Sequence, residues 1–181
     1  LRCIPNMVIM TPADENETRI MLSTAYNHKG PASVRYPRGS GPNIKVDGSL
    51  TEIEIGKARL IREGSADVIF LNFGSLLHEA RKVSENLNLT LIDMRFVKPL
   101  DKDILRKYLT NAKLFISLED GSVAGGAGSS IQEFCSEENI LIKSKLLGIP
   151  DKFIEHASRD EMIKEVGLTS MQIEESLRQL M

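Results

Sequence analysis

The chain has no tryptophan, two cysteines and only 5% aromatic residues. Cys3 and Cys135 stand far apart, with neither a C-x-x-C spacing nor a histidine close by, so they spell no zinc site and no redox pair. Two reduced thiols are the plainer reading, and they agree with a cytoplasmic location. No run approaches the roughly eighteen apolar residues of a membrane span. The first residues carry one Arg but no long apolar stretch and no small-residue cleavage site, so no signal peptide is visible there. No sign of charge dominates either. The 23 Lys and Arg against 25 Asp and Glu leave a net charge of −2, which carries no footprint for nucleic acid or an anionic membrane.

What is present is ordinary globular material, 41% hydrophobic and 27% charged over 181 residues, enough for one or two cores. The sequence opens at Leu1 without an initiator methionine and reaches a strand-like run almost at once, as expected of a piece of something longer. Met7–Met10 is a short apolar run that suits a buried strand. Thr11-Pro12, or else Asp14 with Glu17 in a capping-box spacing, then opens a helix. Ile20, Met21, Ala25 and Tyr26 give that helix an apolar face, and Gly30-Pro31 stops it. Ala32–Tyr36 is a second strand, which completes a β-α-β unit of a parallel sheet.

Composition shifts to Gly, Ser, Pro and Asn from Gly39 onward, and no period survives there. Residues 1–40 are thus expected to end one α/β domain, 41–51 to be a linker, and 52–181 to form a second domain. In that second domain Lys57–Arg62 alternates like an edge strand, and Asp67–Phe73 reads as a strand covered on both faces. A helix follows to about Leu87, with Leu76, Leu77, Ala80, Val83 and Leu87 on one side. Thr90–Asp93, Leu114–Leu118 and Ile140–Leu147 are further strands. They are separated by helices at 101–109 and 128–135 and followed by helices at 159–166 and 170–180. The expected fold class is α/β, a mostly parallel open sheet with helices on both faces.

Ligands of such sheets gather at the carboxyl ends of strands. Arg35-Tyr36-Pro37-Arg38-Gly39 sits at one end. Pro37 breaks the strand, so Arg38 emerges beside glycine, where a guanidinium suits phosphate or carboxylate. The alternative is a pair of salt bridges at a domain seam. Asp93-Met94-Arg95-Phe96-Val97-Lys98-Pro99-Leu100-Asp101 reads as a strand-to-helix turn with Asp101 as N-cap. It carries either a local Asp–Arg pair or a contact to an anion or a partner domain. Glu119 and Asp120 precede Gly125–Ser130, whose small residues match neither G-x-G-x-x-G nor a P-loop and favour close helix–sheet packing. Glu119 and Asp120 have the chemistry of acid/base groups, but nothing in the sequence perturbs them. His28, His78 and His156 are scattered without metal-ligand spacing, and no nucleophile elbow or triad order is present.

Six segments in order carry a resemblance: P-N-M-V-I-M-T-P-A-D-E-N-E, G-P-A-S-V-R-Y-P-R-G, I-G-K-A, D-M-R-F-V-K-P-L-D, G-G-A-G-S-S and L-G-I-P-D-K-F-I-E-H. Together they resemble the 1-deoxy-D-xylulose-5-phosphate synthase family of the transketolase superfamily, over essentially the whole chain from Ile4. The resemblance implies an enzyme that condenses pyruvate with glyceraldehyde 3-phosphate, releasing CO2, with thiamine diphosphate and Mg2+ as cofactors. Its product feeds isoprenoid, thiamine and pyridoxal synthesis. It implies the end of a pyrimidine-binding domain over residues 1–40, a C-terminal domain over 52–181, and a homodimer. Arg38 matches the arginine that grips the aldehyde phosphate, and Arg35 matches a structural position. No residue here matches a catalytic one, and the diphosphate-and-metal domain is not among these residues. The isolated chain is therefore expected to be inactive and to bind no cofactor. A 2-oxo acid dehydrogenase β-subunit, a transketolase or a non-catalytic assembly module are the other readings.

Overall fold

The strand-helix rhythm becomes eight strands and six helices in a computed structural model that describes residues 1–49 and 51–180. Leu50 of the expected linker and Met181 of the expected second domain lie outside the described residues. The first unit is β1 (Val8–Met10), α1 (Glu15–Asn27) and β2 (Ala32–Val34), with β1 and β2 parallel. Asp14 is the N-cap of α1, accepting the Glu17 N–H at 2.8 Å, so the second reading of the helix start holds. The Glu17 side chain reaches Ala13 N–H at 3.3 Å rather than Asp14, so the reciprocal half of the box lands one residue early. The buried positions of α1 are Glu17, Met21 and Thr24, while Tyr26, expected on the apolar face, is 89% exposed. β2 ends at Val34 rather than Tyr36, although Arg35 N–H still donates to Met10 O at 2.8 Å.

The second unit contains β3 (Arg59–Arg62), β4 (Ser65–Phe73), α2 (Leu77–Asn86), β5 (Leu89–Asp93), β6 (Phe96–Lys98) and α3 (Lys102–Leu109). It continues through β7 (Leu114–Ser122), α4 (Ala127–Glu137), β8 (Lys143–Ile149), α5 (Arg159–Glu165) and α6 (Ser170–Arg178). Five strands form one sheet in the order β3-β5-β4-β7-β8, parallel except for the β3 edge, which runs antiparallel to β5. Alternation sorts the buried residues onto two faces. Phe70, Ile116 and Leu118 meet α2 and α6 through Leu77, Ala80, Val83, Ile173 and Leu177. Ile69, Leu71, Phe73 and Phe115 meet α3 and α4 through Leu105, Leu109, Ile131 and Phe134. Helices thus cover both faces, as the pattern requires. Gly128 has no room for a side chain because an added Cβ would strike Ser117 and Leu146, which is the close helix–sheet packing expected of the glycine-rich start of α4.

One strand departs from the expectation. The sequence of Asp93–Asp101 suggests a strand-to-helix turn, but Phe96–Lys98 forms β6 and pairs antiparallel with β1, giving a second sheet ordered β2-β1-β6. The free edge of β1 would otherwise leave backbone donors and acceptors without partners. Phe96 is fully buried beside Val8, Met10 and Met21, with Ile53 and Ile55 packed on the same cluster. Its burial alone is worth about 1.5–3 kcal/mol. The core of the first unit is therefore completed by residues from the far side of the linker.

Candidate functional site

The carboxyl ends of β2, β4 and β7 converge on a cluster of charged side chains. Asp120, on β7, is 9% exposed. Its Oδ2 accepts from Ser75 Oγ at 3.1 Å and from Arg159 Nη2 at 3.3 Å, and Arg159 Nη2 also donates to Ser75 Oγ at 3.0 Å. The other oxygen, Oδ1, faces Arg35 Nη2 at 3.8 Å. Ser75 comes from the β4–α2 turn and Arg159 from the first residue of α5, so three parts of the second unit hold one carboxylate toward the first unit.

From Arg35 the chain forms an exposed arch. Tyr36 is exposed, Pro37 lies half-buried, and Arg38 projects to solvent with no ion pair among the described residues. Gly39 takes φ +125°, a conformation an L side chain rarely adopts. The far foot of the arch is fixed by Glu15 at the start of α1, which accepts from Asn43 N–H at 2.7 Å and Ile44 N–H at 3.3 Å. Its own backbone N–H and then those of Asn43 and Ile44 hold the Glu15 carboxyl below the usual range. Arg35 serves as one foot, and Arg38 lies between the feet with no ion pair among the described residues.

Glu119, next to Asp120, is turned the other way. It caps α4, accepting from Ala127 N–H at 2.8 Å and Gly128 N–H at 2.9 Å. Burial pushes its carboxyl up, and the two N–H groups with Arg35 and Arg2 pull against that shift. With both oxygens engaged, Glu119 is a helix cap and not a free acid or base.

A second cluster lies at the seam between the units. Glu17 of α1 binds Arg95 Nη2 at 2.7 Å and Arg95 Nε at 2.8 Å, and lies 3.4 Å from Arg59 Nη2. Arg59 Nη2 reaches Asp93 Oδ2 at 3.0 Å, the two residues standing opposite each other in the β3–β5 register. Burial, and next the Glu17 charge, push Asp93 up to about 7, against the pull of Arg59 and Arg95. Arg95 has φ +59°, a left-handed conformation costing roughly 1–2 kcal/mol in a residue with a side chain. Its carbonyl accepts Thr11 N–H at 2.8 Å while its guanidinium takes Glu17. The local Asp93–Arg95 pair expected from the sequence is therefore replaced by Asp93–Arg59 and Arg95–Glu17, and Arg95 is a contact to the partner unit. Lys98 donates to the carbonyls of Arg2 and Ile4, at 2.8 Å each, and is a tether. Asp101 caps α3 as expected, accepting Ile104 N–H at 3.2 Å, and also takes Ala58 N–H at 3.0 Å.

Sequence reasoning missed Glu17, Arg59, Ser75 and Arg159, whose partners lie far away along the chain; only Glu17 carried a signal, its place in the helix start. His28 is half-buried at the end of α1, and His78 and His156 are exposed. Among the described residues no three His, Cys, Asp or Glu side chains gather as metal ligands. The carboxylates at the sheet edge are engaged by arginines and a helix N-terminus, so they do not themselves compose a cradle for a diphosphate and its cation. Surface clefts of about 680 Å³ between α2 and α6, and about 860 Å³ beside His28 and Lys98, both lie away from this edge.

Comparison with known proteins agrees with this architecture. The family described as transketolase, pyrimidine binding domain, matches residues 1–43, and the family described as transketolase, C-terminal domain, matches residues 56–173. Proteins named 1-deoxy-D-xylulose-5-phosphate synthase from Pseudomonas fluorescens Pf-5 and from Vibrio vulnificus CMCP6 are 49% and 47% identical over 99% and 98% of the chain. The chain spans 28% of the length of each of these relatives. Among solved structures, a split-gene transketolase described as an inactive β4 tetramer matches 98% of the chain and 58% of its own length, with TM-score 0.84 and 27% identity. Transketolase from Campylobacter jejuni matches with TM-score 0.68 at 17% identity, over 98% of the chain and 27% of its own, and shares the fold. With its C-terminal-domain match covering most of the second unit and the core that the match demands in place, the chain belongs to the transketolase C-terminal domain family.

Proposed function

We propose that the chain forms the C-terminal portion of a 1-deoxy-D-xylulose-5-phosphate synthase, with residues 1–40 ending a pyrimidine-binding domain, 41–51 linking, and 52–181 forming the C-terminal domain. The parent enzyme condenses pyruvate with glyceraldehyde 3-phosphate, loses CO2 and forms the phosphorylated precursor of isoprenoids, thiamine and pyridoxal. It is a cytoplasmic homodimer using thiamine diphosphate and Mg2+. The cofactor supplies carbanion stabilisation when bound. The contribution of this chain is to bind and orient the phosphorylated aldehyde through Arg38.

The observation that carries this reading is the arch: an exposed arginine with no carboxylate partner among the described residues, just beyond the carboxyl end of β2, where α/β folds take anions. In the full-length enzyme, Arg38→Ala is expected to raise KM for glyceraldehyde 3-phosphate steeply while KM for pyruvate changes little. The loss of a charged phosphate contact corresponds to about 2–5 kcal/mol. An unchanged aldehyde KM removes Arg38 from the site.

A second reading, in which the isolated chain is an assembly module, is favoured by its likeness to the split-gene transketolase described as an inactive β4 tetramer. Both readings have the 181-residue chain alone releasing no CO2 from pyruvate in the presence of the aldehyde, thiamine diphosphate and Mg2+. Light scattering of that chain separates a bare monomer from an assembling module.

A further inference from the structure

We propose that Asp120 is a positioning residue for Arg38, setting where the phosphate of the aldehyde substrate is held. This rests on the reading of Arg38 as the phosphate contact. Arg38 has no side-chain partner among the described residues, so its position is set by the backbone on either side of it. One side is pinned by Glu15 through Asn43 and Ile44, both within the reach of α1 and its own unit. The other begins three residues before Arg38, at Arg35, whose backbone N–H is held by Met10 O at 2.8 Å and whose guanidinium is tied to the opposite unit by Asp120 Oδ1 at 3.8 Å.

Asp120 is suited to orient rather than to react. Ser75 Oγ and Arg159 Nη2 fix Oδ2 from two further elements, which leaves Oδ1 aimed at Arg35. Its side chain is 12% exposed against 46% for Arg35, so the more rigid partner belongs to the second unit and the arch is referenced to it. The same cluster balances the guanidinium of Arg159. Two opposed consequences follow from removing the charge. Loss of a nearby anion by itself favours phosphate binding, whereas release of the Arg35 guanidinium, with the Arg35 backbone still held by Met10 O, lets the arch and Arg38 shift relative to the second unit. Since displacement of a binding group by about an ångström can cost on the order of a hundredfold, drift outweighs the electrostatic gain.

The test uses the full-length enzyme with Asp120→Asn, Asp120→Glu, Arg38→Ala and the Arg38→Ala/Asp120→Asn pair, each assayed with glyceraldehyde 3-phosphate and with unphosphorylated glyceraldehyde. Asp120→Asn is expected to lower kcat/KM for the phosphorylated aldehyde about tenfold more than for the unphosphorylated one. Asp120→Glu should restore part of that discrimination, and the pair should discriminate no worse than Arg38→Ala alone. Equal losses on both aldehydes would assign Asp120 to stability only. A lower KM for the phosphorylated aldehyde, as charge removal alone would give, also overturns the proposal. Phosphate-selective loss in Arg38→Ala but not in Asp120→Asn overturns it while leaving the Arg38 reading intact. An Arg38→Ala enzyme without that selectivity overturns both.

Discussion

The seam cluster and the sheet-edge cluster use the same chemistry, arginine against carboxylate, to opposite ends. At the seam Glu17 is 4% exposed and Asp93 fully buried; Glu17 is met by Arg95 and Arg59, and Asp93 by Arg59. Charges so enclosed cannot meet a ligand, and they are tolerable only because each has its counter-charge. At the sheet edge Asp120 gathers Arg35 and Arg159, while Arg38 has no ion pair among the described residues. Asp93 is pushed up to about 7 by burial, yet its carboxyl is enclosed and engaged by Arg59.

The comparison breaks hardest at the seam. Arg95→Ala should destabilise the protein by about 3 kcal/mol, the low end for one partner lost from a buried pair because Arg59 still faces Glu17. Urea unfolding measures it, and a change below about 0.5 kcal/mol would mean that the seam charges are not sealed. Arg38→Ala should do the reverse, shifting stability by no more than about 0.5 kcal/mol while damaging aldehyde binding.

Asp93 gives a pH test. Its folded value, about 7, lies above the ordinary carboxyl value, so between the two the folded state holds a proton that the unfolded state has released. Its contribution therefore favours folding at acid pH and is lost as pH rises toward about 7, with no further change above. Comparing unfolding curves of the native protein and Asp93→Asn from pH 5 to 8 isolates this term; a native-minus-variant difference that grows with pH contradicts it. A weak ion pair lies in neither cluster. Lys113–Asp67, at 2.7 Å with side chains 77% and 53% exposed, should yield under about 1 kcal/mol in Lys113→Ala, and less in high salt.

Features resting on local spacing were legible in the sequence. The Asp14 and Asp101 caps, the buried runs of β4 and β7 and the emergence of Arg38 after Pro37 each depend on a few consecutive residues. Features resting on distant partners were not. β6 is three residues long, too short to show a period, and its partner β1 lies far upstream. Arg95 looked like the natural neighbour of Asp93, yet its left-handed backbone sends it to a glutamate 78 residues away. Arg159 opens a short helix with nothing in its surroundings to announce Asp120.

The insertion of β6 beside β1 makes the connecting segment mechanically redundant. Strand pairing, the packing of Phe96 and the Arg95–Glu17 bond all join the units without it, while the described linker residues through Gly48 are themselves tied to α1 by Glu15, Asn16 and Arg19. A nick after Gly48 should therefore leave a stitched heterodimer that travels as one species through gel filtration. Continuity of the peptide there is a convenience of synthesis and not what keeps the two halves in register.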